Sequence, residues 1–284
     1  MLFQEHMELY QEELKALDRS PRTIDGYMQD LSFFRKWLEQ TFNCPVYTED
    51  ITLADVDAFL KMLREERAYK PASMKKMHIV LKKFFQFALK KKWCTEDIAS
   101  EIRPVRIPQN ERDYLSEDEV MTFIEQMNHR LGEVVILTIY YTGLRIAEAV
   151  ALNVDDVDLQ ERKIFVQKGK GNKSRTIPIS DKLATILVEY EQWRVDSDAY
   201  FATKKTGRLS KVRIQRLVRD TRETLGWRKH VTPHTFRHSF ASRLVEKDVN
   251  IVRISKLLGH ADLKTTSVYT HASMSQLEEA VNHL

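Results

Sequence analysis

The sequence predicts a mainly α-helical protein with one small β-hairpin or sheet, divided into a helical N-terminal domain and a mixed α/β C-terminal domain. Three observations carry that prediction. Apolar residues recur at helical spacing through the first hundred residues, and no strand-like alternation precedes Arg103. The stretch EIRPVRIPQNERDY over 101–114 holds two prolines and several charges without apolar periodicity, which marks a linker. Beyond it, two short β-rich runs, Lys163 to Gln167 and Ser174 to Ile179, flank a Gly/Lys turn, and the remaining chain returns to a helical period. The expected division is a helical domain over 1–102, a linker over 103–114 and a second domain over 115–284. A chain of 284 residues is long enough for two cores.

In the first domain, Phe3, Met7, Leu9, Tyr10, Leu14 and Leu17 give one helix over Leu2 to Leu17. Ser20 followed by Pro21 starts the next, with Ser as cap and Pro at the first helical position, running to about Gln40. Thr52 with Asp55 three residues on resembles a capping box. Pro71 or Ser73 opens a long helix to about Trp93. At roughly 100° per residue, Met77, Val80, Leu81, Phe84, Phe87 and Ala88 share one arc of it, and Lys75, Lys76, Lys82, Lys83 and Lys90 share another. The aromatic residues therefore read as core. The lysines form either a solvated face or one that tracks phosphates.

In the second domain, Ser116 to Glu119 is a capping box. Leu131 to Tyr141 reads as a buried helix stopped at Gly143. Arg145 follows that turn directly, with Glu148 three residues on, close enough to orient the guanidinium or to form an ordinary helical ion pair. The hairpin tip KGKGNK over 168–173 carries Lys170 and Lys173, with Arg175 just beyond. It is a solubilising tip or a finger into a nucleic-acid groove. A helix over Asp181 to Arg194 follows. The helix from Lys211 to Leu225 puts Ile214, Leu217, Val218 and Leu225 on one side, and Arg213, Arg216, Arg219 and Arg222 on the other. Arginines so displayed suit phosphates and guanine edges. Thr232-Pro233 starts the helix of His234 and Arg237. Asn250 caps IVRISKLL, which stops at Gly259. Two further short helices are expected over Leu263 to His271 and Ser273 to Leu284.

Charge distribution narrows the partner. The net charge is only +4, but eleven cations between Lys61 and Lys92 face two acids, and ten between Lys204 and Lys229 face two more. Two concentrated basic segments in a near-neutral chain suggest a polyanion held at two places. No run approaches the eighteen or more apolar residues of a membrane span, and the acidic, amphipathic start lacks a signal peptide's features. Cys44 and Cys94 follow no metal spacing and read as reduced thiols in a cytoplasmic protein. His234 and His238 lie four apart, but Thr235 stands where a metalloprotease motif needs Glu, and no Cys or carboxylate cluster completes a ligand set.

The chemistry concentrates between Thr232 and His271, where His234, Arg237, His260 and Tyr269 can grip a phosphate and offer it a nucleophile. TGLRIAEAV, the KGKGNKSR hairpin, HTFRH, LLGH and VYTH, in that order, resemble the tyrosine recombinase (phage integrase) family over about Asp113 to His271. Single motifs of this kind are weak; five in order are specific. The helical N-terminal half resembles that family's core-binding domain less specifically. The resemblance implies that Tyr269 is the nucleophile, that Arg145 and Arg237 bind the scissile phosphate, that Lys170 is the hairpin lysine, and that His234 and His260 fill the two remaining positions, with Glu148 supporting the first arginine. No core position departs from the pattern.

It further implies double-stranded DNA with a specific core site as substrate, no metal or nucleotide cofactor, and a homotetramer on two DNA sites or an assembly with a related second recombinase. The short chain favours a simple recombinase using a short core site, such as a resolver, without a substantial extra arm-binding domain. Rival readings are a type IB topoisomerase, which would relax plasmids without site dependence, and a DNA-binding architectural protein, which would form no covalent adduct.

Overall fold

The computed structural model describes residues 1–103, 114–167 and 174–259. The chain divides into two compact units, Met1–Asn110 and Glu111–Leu284.

The first unit is helical: α1 (Phe3–Ala16), α2 (Pro21–Phe42), α3 (Leu53–Glu65), α4 (Pro71–Lys90) and the short α5 (Ile98–Glu101). The expected starts hold. Ser20 Oγ accepts from the Thr23 amide at 3.3 Å, and Thr52 and Asp55 exchange amide bonds at 2.8 and 3.4 Å. Each bond satisfies one of the amides that a helix N-terminus leaves without an intrahelical acceptor. The predicted arc of α4 is buried in full and is joined by Phe85. Phe3, Phe34, Phe59, Phe84 and Phe85 meet at 4.9–6.4 Å, mostly edge to face, the arrangement the ring quadrupole favours. α4 stops at Lys90, short of Trp93, and Lys92 turns left-handed (φ 60°). The N-terminus is tied down by the Phe3 amide on the Val46 carbonyl at 2.8 Å.

The second unit contains α6 (Glu117–Gln126), α7 (Arg130–Thr142), α8 (Ile146–Ala151), β1 (Val157–Asp158), β2 (Lys163–Val166), β3 (Arg175–Pro178), α9 (Asp181–Glu191), β4 (Ala202–Thr203), β5 (Gly207–Arg208), α10 (Lys211–Thr224), α11 (Pro233–Glu246) and α12 (Ile251–Leu258). The Ser116 box is formed at both ends, with amide bonds of 3.0 and 3.1 Å. α7, with Val135, Ile136 and Ile139 fully buried, is the central helix; α11 packs along it and α9 against it. The sheet order is β1-β2-β3, all antiparallel. Pairing of Ile164 with Ile177 and of Val166 with Arg175 turns those residues toward the core, as a two-residue side-chain period requires. Two small features lay below the sequence signal, β1 and the β4–β5 pair; each strand is two residues long, too short for any periodicity.

The hairpin tip over 168–173 and the two helices expected after His260 lie outside the described residues.

Candidate active site

The site is assembled at the end of α7. Gly143 closes that helix at φ +66°, in left-handed backbone that suits glycine. There is a second constraint: a Cβ built there would lie 2.5 Å from the Phe240 ring on α11 and 2.7 Å from Leu258 on α12. A bare backbone at 143 thus lets α11 and α12 close onto the turn, and the turn delivers Arg145 to the N-cap of α8.

Glu148 is the centre of the arrangement. Its carboxylate accepts the Arg145 amide at 2.7 Å and Arg145 Nη1 at 2.8 Å. It also accepts a two-pronged bond from Arg175, Nη1 at 3.0 Å and Nη2 at 2.8 Å, the planar match of guanidinium to carboxylate. Arg237 Nη1 stands 3.8 Å away. The carboxylate is 8 % exposed, and the three guanidiniums are 35 %, 12 % and 5 % exposed for Arg145, Arg175 and Arg237. Burial alone would raise the Glu148 pKa. The Arg175 fork, the Arg145 amide and the Arg145 guanidinium outweigh it and hold the acid at about 2, so it is ionised at any working pH.

The same three arginines meet the end of α12. Arg175 Nε donates to the Leu257 carbonyl at 2.8 Å, Arg237 Nη2 to the Leu258 carbonyl at 2.8 Å, and Arg145 Nη2 to the Gly259 carbonyl at 3.4 Å. Arg237 also donates to the Gly143 carbonyl. The last carbonyls of a helix lack intrahelical donors and carry its negative dipole end, so cations are favoured there. Among the described residues, three guanidiniums converge on this one carboxylate. Such a concentration attracts a phosphodiester, and attracts still more strongly a phosphorane whose equatorial oxygens carry extra charge.

Of the sequence-predicted site residues, the structure brings Arg145, Glu148 and Arg237 together. His234 is exposed on the first turn of α11, between the buried Pro233 and Thr235 and one helical turn before Arg237. Lys170, Lys173, His260 and Tyr269 lie outside the described residues. Glu148 does more than expected, since it holds three arginines. In the sequence Arg175 stands only as a charge just beyond the hairpin tip. Its signal was strand alternation: Ile177 is a core residue, so Arg175, two positions earlier, faces inward, and an inward cation requires a partner.

The basic surfaces are less uniform than the helical wheel implied. On α4, Lys75, Lys83 and Lys90 are exposed, with Lys83 5.8 Å from the Tyr27 ring. Lys76 is held by Asp30 of α2 at 2.7 Å, and Lys82 is half-buried with its ammonium 3.5 Å from the Ile102 carbonyl. On α10, Arg213 is exposed. Arg216 and Arg219 share Asp220 at 3.6 and 3.2 Å, and Arg222 pairs with Glu223 at 3.6 Å. Among the described residues no helix is long and apolar enough to cross a membrane.

Comparison with known proteins places the chain in a family. Residues 113–276 match the phage integrase family, and residues 7–92 match the phage integrase N-terminal SAM-like domain. A tyrosine recombinase XerA of Pyrococcus horikoshii is 32 % identical over 272 residues, covering 94 % of this chain and 89 % of that one. The fold is that of a lambda integrase dimer bound to a COC' core site, at TM-score 0.80 and 20 % identity over 93 % of this chain and 97 % of that one. It is equally that of a lambda integrase tetramer bound to a Holliday junction, at TM-score 0.78 and 20 % identity over 92 % and 78 %. With both matches in chain order and the arginine–glutamate cluster at the centre of the catalytic one, the chain belongs to the phage integrase family, the tyrosine recombinases.

Proposed function

We propose that the cluster around Glu148 is the phosphate clamp of a site-specific DNA recombinase whose nucleophile is Tyr269. The observation that carries this reading is the single buried carboxylate shared by three guanidiniums at the end of the helix that leads to His260. In this reading Arg145 and Arg237 pair with the non-bridging oxygens of the scissile phosphate. Tyr269 Oη attacks phosphorus and the bond to the 5′-oxygen breaks. A tyrosine hydroxyl has an unperturbed pKa of about 10, so its proton must be taken, and His234 serves as base or relay. The leaving 5′-oxygen takes a proton from Lys170, and His260 donates to a phosphate oxygen. The products are a 3′-phosphotyrosine and a free 5′-hydroxyl. The ester bond is conserved in energy, so a 5′-hydroxyl from another strand can reverse the step and join different DNA. These residues suffice without a metal or nucleotide.

The substrate is double-stranded DNA with a specific core site. Residues 1–102 serve as a core-binding domain, with the exposed lysines of α4 on phosphates, and the arginines of α10 serve as a second contact in the catalytic domain over 115–284. Residues 103–114 link them. The working assembly is a homotetramer on two sites, or one completed by a related second recombinase, in a bacterial or archaeal cytoplasm. The likeness to DNA-bound and tetrameric lambda integrase supports both points.

The test is covalent capture on a nicked suicide substrate. Wild type accumulates a protein–DNA adduct. Tyr269→Phe binds the same DNA and forms none, while Arg145→Ala and Arg237→Ala lose on the order of a hundredfold in cleavage, the usual cost of one transition-state donor. A normal adduct yield in Tyr269→Phe would end the nucleophile assignment.

A further inference from the structure

We infer that Arg175 is a positioning residue for strand cleavage: it fixes Glu148, and through Glu148 both phosphate-binding arginines, and it ties the strand leaving the hairpin tip to the end of α12.

Three of the five N–H donors of Arg175 are committed to protein. Nε goes to the Leu257 carbonyl, and Nη1 and Nη2 go to the two oxygens of Glu148. The side chain is 12 % exposed, against 35 % for Arg145. It is therefore placed to hold other groups and not to meet DNA itself. Without it Glu148 would keep its own bonds to Arg145 and its longer contact with Arg237, but would lose the planar fork that sets the orientation of its carboxylate. A rotated carboxylate would turn Arg145, since Arg145 Nη1 and its amide bind the two different oxygens of Glu148.

The second half concerns α12. Gly259 takes φ +63°, and a Cβ there would lie 2.8 Å from Arg175 Nη1 and 3.0 Å from its Cζ. The guanidinium thus lies against the backbone of the residue that ends α12, immediately before His260 in the chain. Arg175 is also the first residue of β3, separated only by Ser174 from the segment 168–173 that carries Lys170. One side chain consequently connects the downstream base of the hairpin, the shared carboxylate and the end of α12. A lysine could supply the charge but not three donors in one plane.

The inference rests on the proposed cleavage by Tyr269, and the experiment separates the two. Full-length wild type, Arg175→Met, Arg175→Lys, Glu148→Gln and the double variant Arg175→Met/Glu148→Gln are compared for melting temperature, DNA-site affinity and rate of adduct formation at saturating DNA. Arg175→Met is expected to bind DNA within a few-fold of wild type and to cleave ten- to a hundredfold more slowly. Arg175→Lys should fall between them, and the double variant should be no slower than the slower single one, because both act on one carboxylate. Cleavage by Arg175→Met at the wild-type rate overturns the inference, and so does a double variant in which the two losses multiply. If Arg175→Met is unfolded at the assay temperature, Arg175→Lys decides: a wild-type rate overturns the requirement for the fork, and a slowed rate at unchanged affinity supports it. If wild type itself forms no adduct, the cleavage assignment has failed, and with it the inference.

Discussion

Glu148 is a buried anion whose value depends on its partners. Isolated, it would be costly to bury; the Arg175 fork and the Arg145 amide and guanidinium outweigh that burial and hold it at about 2 against an ordinary value of 4.5. The consequence for acid stability has a definite sign. A carboxyl whose folded pKa is depressed binds fewer protons folded than unfolded, so its contribution is complete above about pH 4.5 and is lost as pH falls toward 2. A depression of this size corresponds to about 3 kcal/mol, with each pKa unit worth about 1.4. Denaturant titrations of the second unit at several pH values should show stability falling through that window. Glu148→Gln should be less stable at pH 7 and should lose less on acidification; acid profiles of the two proteins that run parallel would remove Glu148 as the source. At this scale Arg145, Glu148 and Arg237 were legible because motif spacing marks them. The sharing of one carboxylate was not, because Arg175 arrives from a strand, β3, outside the motifs that hold those three.

The turn after α7 shows what an element decides. Gly143 was legible as a helix stop, and its left-handed backbone explains that much. Its packing was not legible, since Phe240 and Leu258 come from helices about a hundred residues later. Gly226 supplies the control, at φ +63° with open space around its missing Cβ. Gly226→Ala should cost only the backbone term, about 1–2 kcal/mol. Gly143→Ala should cost that plus about 1–3 kcal/mol of overpacking, and it should slow cleavage by moving the turn that carries Arg145. Thermal melts of the pair measure the difference; equal losses would mean that the turn yields without strain. On α4 the division of labour is similar. The wheel found every core residue it named, because burial follows the period of the helix itself. It could not see Asp30 of the neighbouring α2 taking Lys76 out of the free charge.

At the scale of the whole molecule, charge placement matters more than the net value of +4. Each phosphate contact releases condensed counterions, so removing one lowers the slope of log affinity against log salt by about 1. Lys75→Ala, Lys83→Ala and Lys90→Ala, on the exposed arc of α4, are each expected to weaken DNA binding and flatten that slope. Lys76→Ala should do so less, because its ammonium already has Asp30 at 2.7 Å. Binding isotherms at several salt concentrations test the ordering. A slope unchanged in all four variants would leave α4 a merely solvated face.

The sequence by itself determined the helical class, the two-part organisation, the boundaries of most helices and the family. All of these depend on local period, on capping residues and on motifs in fixed order. Only the tertiary structure decided that Arg175 belongs with Arg145 and Arg237, that one carboxylate serves all three, and that together they bind the end of α12. Those facts require β3, α8, α11 and α12 to converge around Glu148. No window along the chain contains such a convergence, because packing brings together residues whose spacing in sequence carries no trace of it.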